Sequence, residues 1–326
     1  MQKDEKLLDK IVSLAKRRGF VFQGSEIYGG FAGMWDYGPY GVALKNNIKN
    51  LWWKMFVDAR DDVWGIDAAI LMPARVWDAS GHTGAGFTDP LVECAECKKR
   101  FRAEHLEDKK KCPECGGMLG EERQFNLMFE TRVGALEDSS AVSYLRPETA
   151  QGIFVNFKNV VDSVHPKLPF GIAQVGKAFR NEITPRDFIF RIRELEQMEI
   201  EYFVKPTDWE RVFEEWREAT GKWIDALGID RAHVREVEIG DGDRAHYSKR
   251  TIDFEYEYPF GTKELSGLAY RTDYDLSNHT KHSGQDLGYF DEETKERLVP
   301  HVIEPSFGVE RALLAVLCDA YREEEV

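Results

Sequence analysis

Four cysteines, Cys94, Cys97, Cys112 and Cys115, stand as CAEC and CPEC on either side of a fourteen-residue link. Thiolates at this spacing on two turns meet one ion tetrahedrally, and four of them leave no open position for water, so the chemistry expected is a structural Zn²⁺. Val92 to Leu119 has little apolar content of its own and should need the ion to fold. A second group lies in Gly171 to Phe203, GIAQVGKAFRNEITPRDFIFRIRELEQMEIEYF. Read as a strand from Ile172 to Glu182, it puts Gln174, Gly176, Ala178, Arg180 and Glu182 on one face. Gly and Ala are poor strand formers, so a small face followed by Arg and Glu implies that something lies against it. The simpler alternative is an amphipathic hairpin with a solvated charged face. A third group is Glu304 to Arg311, where Gly308 opens a helix and Arg311 falls in its first turn. A cation there meets the positive end of the helix dipole, so an anionic or aromatic partner is required.

The elements that must position these groups are legible in outline. Thr184, Pro185 and Asp187 break the first strand, and extended chain resumes from Phe190. There Arg191, Arg193, Leu195, Gln197, Glu199 and Glu201 alternate with Met198, Ile200 and Tyr202. Gly41 to Phe56 repeats Leu44, Ile48, Leu51, Trp52 and Met55 at helical spacing, and Ala68 to Met72 reads as a strand. Thr251 to Phe260 alternates strictly, as a half-buried antiparallel strand does. The 326 residues, 42% hydrophobic and 12% aromatic, suffice for a large sheet domain with insertions. No apolar run approaches the roughly 20 residues of a membrane span, and the N-terminus lacks a secretory h-region, so a cytoplasmic protein is expected. A net charge of -14 opposes non-specific attraction to nucleic acid, leaving only local basic clusters, Lys98 to Arg102 and Lys109 to Lys111.

The FRNE segment with its loop and following strand resembles motif 2 of class II aminoacyl-tRNA synthetases, and its wording is similar to that of the dimeric glycyl-tRNA synthetases. YLRPETAQGIFVNF, from Tyr144, is closely similar to a segment of the same family, and Glu304 to Arg311 has the order of motif 3. The resemblance implies an α+β fold: a mostly antiparallel sheet flanked by helices, with a small zinc-ribbon insertion. It divides the chain into 1–90, with the motif 1 helix and its dimer contact, the insertion at 91–122, and 123–326 with motifs 2 and 3.

The resemblance also implies a function, ATP-dependent activation of glycine and its transfer to the acceptor stem of tRNA(Gly) by a homodimer that uses Mg²⁺. Arg180, Glu182 and Arg311 would be catalytic, on the α-phosphate, the adenine amino group and the base respectively. The ATP set is Arg180, Asn181, Glu182, Phe190, Arg191, Ile192, Arg193, Glu194, Leu195, Glu264, Leu265, Gly308, Val309, Glu310 and Arg311. Phe190 and Arg311 would sandwich the base, Arg191 and Arg193 would reach the outer phosphates, and Glu264 and Glu304 would offer oxygen to Mg²⁺ or the ribose. The glycine set is Arg102, Glu148, Leu195, Glu196, Gln197, Met198, Glu199, Arg271, Glu304, Ser306 and Gly308, with carboxylates for the ammonium. In that family an α/β anticodon-binding domain follows motif 3. This chain stops at EEEV, so that domain is expected to be absent, by truncation or in a natural minimal form. Two other readings stay open: a glycine-activating ligase with a non-tRNA acceptor, and a non-catalytic paralogue serving as a binding module.

Overall fold

The computed structural model describes residues 5–135 and 141–324. At its centre is a seven-stranded sheet. In chain order its strands are β1 (Val63–Gly65), β2 (Phe170–Phe179), β3 (Glu194–Val204), β4 (Val234–Glu238), β5 (Arg250–Tyr258), β6 (Gly261–Thr272) and β7 (His301–Gly308). They lie in the order β4-β5-β6-β7-β3-β2-β1, and every neighbouring pair is antiparallel except β1 with β2. The α+β class and the mostly antiparallel sheet implied by the sequence are thus found.

The helices are α1 (Glu5–Arg17), α2 (Pro39–Trp53), α3 (Ala74–Ser80), α4 (Ala150–Val164), α5 (Trp209–Ala226), α6 (Tyr274–Ser283) and α7 (Val309–Ala320). Period-two alternation gives the sheet two unlike faces. Met198, Ile200 and Tyr202 of β3, with Phe254, Ile303 and Phe307, build the main core against Trp52 of α2, Trp216 and Trp223 of α5 and Leu313 of α7. On the other face Phe170, Ile172, Phe203 and Val302 pack under Ile153, Phe154 and Phe157 of α4 and Leu276 of α6. Along those same strands this face then turns polar, through Gln174, Glu199, Glu201, Glu304 and Ser306. Register places Glu199 between Gln174 of β2 and Ser306 of β7.

Four elements differ at their ends from the sequence reading. β2 stops at Phe179, and β3 begins at Glu194 rather than Phe190, so Arg180 to Arg193 form a loop. The break is local: Asp187 and Phe188 both take φ of 59°, a left-handed conformation that no strand continues through. The expected helix Gly41–Phe56 starts earlier, with Pro39 at its first turn, and runs on as a π-helical turn, Lys54–Asp58. The strand expected over Ala68–Met72 is short, Leu71–Pro73.

The cysteine stretch hangs from a separate three-stranded sheet of Thr88–Glu93, Arg100–Arg102 and Arg123–Asn126. Its own apolar cluster has few members, Val92, Cys94, Ala103, Cys112 and Leu119, with Phe101 and Leu106 at its edge.

Candidate active site

The polar part of the second sheet face opens into a cleft of about 380 Å³. Loop 180–193, strands β3, β6 and β7, the first turn of α7 and residues 239–251 wall it. Acidic residues crowd one end. Glu148 sits just before α4, whose N-cap is Thr149, and is buried. Its Oε2 lies 3.3 Å from His82 Nε2, and its Oε1 accepts from Gln151 Nε2 at 3.0 Å. Burial favours the neutral acid, but His82, Arg271 and Gln151 together outweigh it and hold the pKa below the usual carboxylate range. Glu199 accepts from Thr149 Oγ1 at 2.5 Å, and burial together with the charge of Glu148 raises its pKa.

Glu199, Glu201 and Glu304 bring carboxylate oxygens within 4.8 Å of one another. Burial and mutual repulsion push Glu304 and Glu201 well above the normal range. Arg271 is the buried counter-charge. It donates Nε and Nη2 to the two oxygens of Asp275 at 2.8 and 2.9 Å and Nη1 to Glu304 at 2.7 Å, with the ring of Tyr247 3.8 Å from its guanidinium. Its donors are directed to these carboxylates, so within the glycine set it braces Glu304 and Asp275.

Cations and aromatics occupy the other end. Arg180 lines the cleft, its Nε fixed by Pro147 O at 3.0 Å. Glu182 and Arg191 face each other at 3.7 Å. Arg311 finds the partners its helix position demands: Nη1 is 2.8 Å from Glu264 Oε2, and its guanidinium lies 4.6 Å from the centre of the Phe190 ring. Its charge, exceeding the effect of burial, keeps the pKa of Glu264 low. Phe190 is wedged against Tyr258 and Phe260, each 5.1 Å away, so it is a fixed platform. A base between ring and guanidinium needs roughly 7 Å, two stacking distances, so these side chains touch each other instead of standing apart as a sandwich. Asp253, beside Glu264, is pushed up to about 7 by burial and by Glu264. Glu264 and Asp253 present carboxylate oxygens, the donor type a hard cation such as Mg²⁺ prefers, with Arg311 already paired to Glu264.

Of the residues singled out from sequence, Glu148, Arg180, Glu182, Phe190, Arg191, Ile192, Leu195, Gln197, Glu199, Glu264, Glu304, Ser306, Gly308, Glu310 and Arg311 line this cleft. The others go elsewhere for reasons of register and pairing. Met198, Leu265 and Val309 point into the main core. Glu196 faces α2 and pairs with Lys45 and Lys49. Glu194 pairs with Lys177. Arg193 braces loops, donating Nη2 to Glu182 O at 2.9 Å and Nη1 to Ala32 O at 2.7 Å. The N–H of Asn181 is tied to Leu127 O at 2.8 Å, and its side chain does not border the cleft. Arg102 pairs with Asp89 at 2.8 Å and Glu104 at 3.1 Å in the small sheet.

Sequence reasoning passed over His82, Glu201, Asp253 and Tyr247. The run GHTGAGF around His82 carried a signal, since three glycines in seven residues mark close backbone approach. The polar loop around Tyr247 carried none.

The cysteines converge as the spacing predicts. Cys94 Sγ lies 3.5 Å from Cys115 Sγ and Cys97 Sγ 3.7 Å from Cys112 Sγ, close to the ~3.8 Å between sulfurs of a tetrahedral site with Zn–S bonds of about 2.3 Å. Hydrogen bonding, led by the backbone N–H of Cys97, draws the Cys94 thiol down to about 7, whereas at Cys97 and Cys115 the neighbouring sulfurs and burial outweigh the backbone N–H groups and raise the thiols.

Comparison with known proteins agrees with this geometry. Residues 134–320 match the family described as tRNA synthetase class II core domain (G, H, P, S and T). The chain is 52% identical over 324 residues to the glycine–tRNA ligase of Treponema denticola, covering 98% of this chain and 72% of that protein. It is 54% identical over 354 residues to the glycine–tRNA ligase of Clostridium acetobutylicum, covering 99% and 76%. Among solved structures, Giardia lamblia prolyl-tRNA synthetase in complex with prolyl-adenylate superposes with a TM-score of 0.69 over 97% of this chain and 52% of that one, at 14% identity, a likeness of fold. With half its residues shared along nearly its whole length, this chain belongs to the glycine–tRNA ligase family, built on the class II tRNA synthetase core.

Proposed function

We propose that the protein is a glycine–tRNA ligase that joins glycine to ATP as glycyl-adenylate, releasing pyrophosphate, and transfers the glycyl group to tRNA(Gly). The observation that carries this reading is the meeting of Glu148, Glu199 and Glu304 with Arg180 and Arg311 in one cleft. A primary ammonium fits the acidic end, where buried carboxylates lack enough positive charge. Glycine adds no side chain at the acidic end, where Gln197 and Ser306 line the cleft beside Glu199, and overlap excludes larger amino acids more strongly than lost contact excludes smaller ones. Nucleotide phosphates fit the cationic end. There Arg180 offers a planar fork to the α-phosphate while the glycine carboxylate attacks phosphorus and the bond to the departing pyrophosphate breaks. Glu182 accepts from the adenine amino group, and Phe190 and Arg311 hold the base. Mg²⁺ bound beside Glu264 and Asp253 would neutralise phosphate charge.

Zn²⁺ held by Cys94, Cys97, Cys112 and Cys115 would fix the insertion. A homodimer is supported by exposed apolar side chains beside α2, with Ile27 and Tyr28 each 88% exposed, Phe31 72% and Tyr40 64%. Among the described residues no helix is long and apolar enough to cross a membrane. The deciding experiment is ATP/pyrophosphate exchange with each of the twenty amino acids, followed by charging of purified tRNA. Exchange with glycine alone is expected, and Arg180→Ala abolishes it without unfolding the protein. Exchange with none of the twenty would refute the reading.

A further inference from the structure

We propose that Lys45 is a positioning residue for the nucleotide: from α2 it clamps Glu310 and Glu196, and through them holds the start of α7 against the start of β3. The inference rests on the ATP-site reading above. Lys45 is 7% exposed. Its Nζ lies 2.6 Å from Glu310 Oε1 and 3.0 Å from Glu196 Oε2, and 4.0 Å from the centre of the Tyr37 ring. The second oxygen of Glu310 accepts the backbone N–H of Glu196 at 2.9 Å, and the second oxygen of Glu196 takes Lys49 Nζ at 2.9 Å. Both carboxylates are therefore used on both sides, and three separate elements meet in one charged knot.

Stability alone gives no reason for the knot. Taking an ammonium and two carboxylates out of water is costly, and a well-packed apolar trio of similar volume serves a core as well or better. Directed hydrogen bonds supply what apolar packing lacks, a fixed register between elements. Register is what this site needs. Arg311 follows Glu310 in the first turn of α7, while Phe190 and Arg191 lie in the loop that feeds β3 just before Glu196. The distance and angle between the Arg311 guanidinium and the Phe190 platform follow from how α7 and β3 are pinned together. Of the residues proposed for the amine, Glu148 precedes α4, Glu199 lies further along β3 than Glu196 and Glu304 lies before the end of β7, and their hydrogen bonds run to His82, Gln151, Thr149 and Arg271 and not to the clamp.

The test is steady-state ATP/pyrophosphate exchange on the full chain with Lys45→Met, which keeps length and removes charge. Glu196→Gln serves as a second variant that keeps shape, lies outside the cleft and leaves Lys45 paired with Glu310. Lys45→Met is expected to raise the KM for ATP about tenfold, and Glu196→Gln by a few-fold, with the KM for glycine within about twofold of wild type in both. A folded variant with an unchanged KM for ATP overturns the proposal. So does a parallel rise of both KM values together with a lowered thermal midpoint, the mark of a merely structural role. If Lys45→Met does not fold, Glu196→Gln decides by the same criterion. Absence of glycine-dependent exchange in the wild type removes the site reading itself and the clamp with it.

Discussion

Arg146 fills the space in front of Gly176: a Cβ on that glycine would stand 2.2 Å from the arginine Nη2. The small face of β2 implied that something lies against it, and at this position what lies there is the protein's own guanidinium. Arg146 is 2% exposed and donates Nε to Lys177 O at 2.6 Å and Nη1 to Ala68 O at 2.8 Å, joining β2 to the chain that follows β1. Gly176→Ala must shift a buried guanidinium whose Nε and Nη1 are held by those carbonyls. The expected loss is ~3 kcal/mol, as for other overpacked or unpaired buried charges. Urea unfolding measures it; a loss below about 0.5 kcal/mol would show that the guanidinium relocates freely.

The example marks the limit of what the chain disclosed before its structure. Period-two alternation sorted Met198, Ile200 and Tyr202 from Gln197, Glu199 and Glu201 correctly, because side-chain direction in a strand depends only on parity. Cysteine spacing brought four thiols together because the knuckle is local. What failed depended on distant partners. Nothing near Arg193 or Arg271 in sequence says that Ala32, Glu182 and Glu304 will take their donors, although Asp275, four residues after Arg271, is a local partner. Nor does the order of residues say that His82 will come up against Glu148, across sixty-odd positions of intervening chain.

Arg311 resting on Phe190 and Glu264 predicts what nucleotide binding must change. To admit a base the guanidinium has to lift from the ring, and the planar group that stacks on Phe190 then stacks on adenine. Arg311→Lys keeps the charge and removes the plane. The KM for ATP in exchange should rise at least tenfold, about 1.4 kcal/mol, with a smaller effect on glycine. An ATP KM within twofold of wild type would show that charge alone, without stacking, is what this position supplies.

The insertion predicts a metal-dependent fold confined to part of the chain. Its apolar cluster is too small to hold the knuckles together unaided. Cys97→Ser is expected to abolish the one zinc per chain that elemental analysis should find. It should also open residues 94–119 to protease at Lys98, Lys99 and Lys109 to Lys111, while the central sheet keeps its thermal midpoint. Equal protection of this stretch with and without metal would refute a structural ion.

Glu201 supplies the pH prediction. Among the described residues it is a fully buried carboxylate with neither oxygen in a hydrogen bond, and Glu304 and Glu199 repel its charge more than Arg271 can offset. Its pKa in the folded chain therefore lies well above the ~4.3 of an unfolded glutamate. Between those two values the folded state holds a proton that the unfolded state has released, so stability is present at low pH and is lost as pH rises. Glu201→Gln keeps the shape and cannot ionise. The variant should match the wild type near pH 4 and exceed it at pH 8, by about 1.4 kcal/mol for each pH unit over which only the folded wild type holds the proton. Thermal midpoints across that range decide the matter. A variant less stable than wild type at pH 8, or one with the same slope, would mean that Glu201 is ionised and compensated by a partner, and that the acidic end of the cleft carries one more negative charge than proposed.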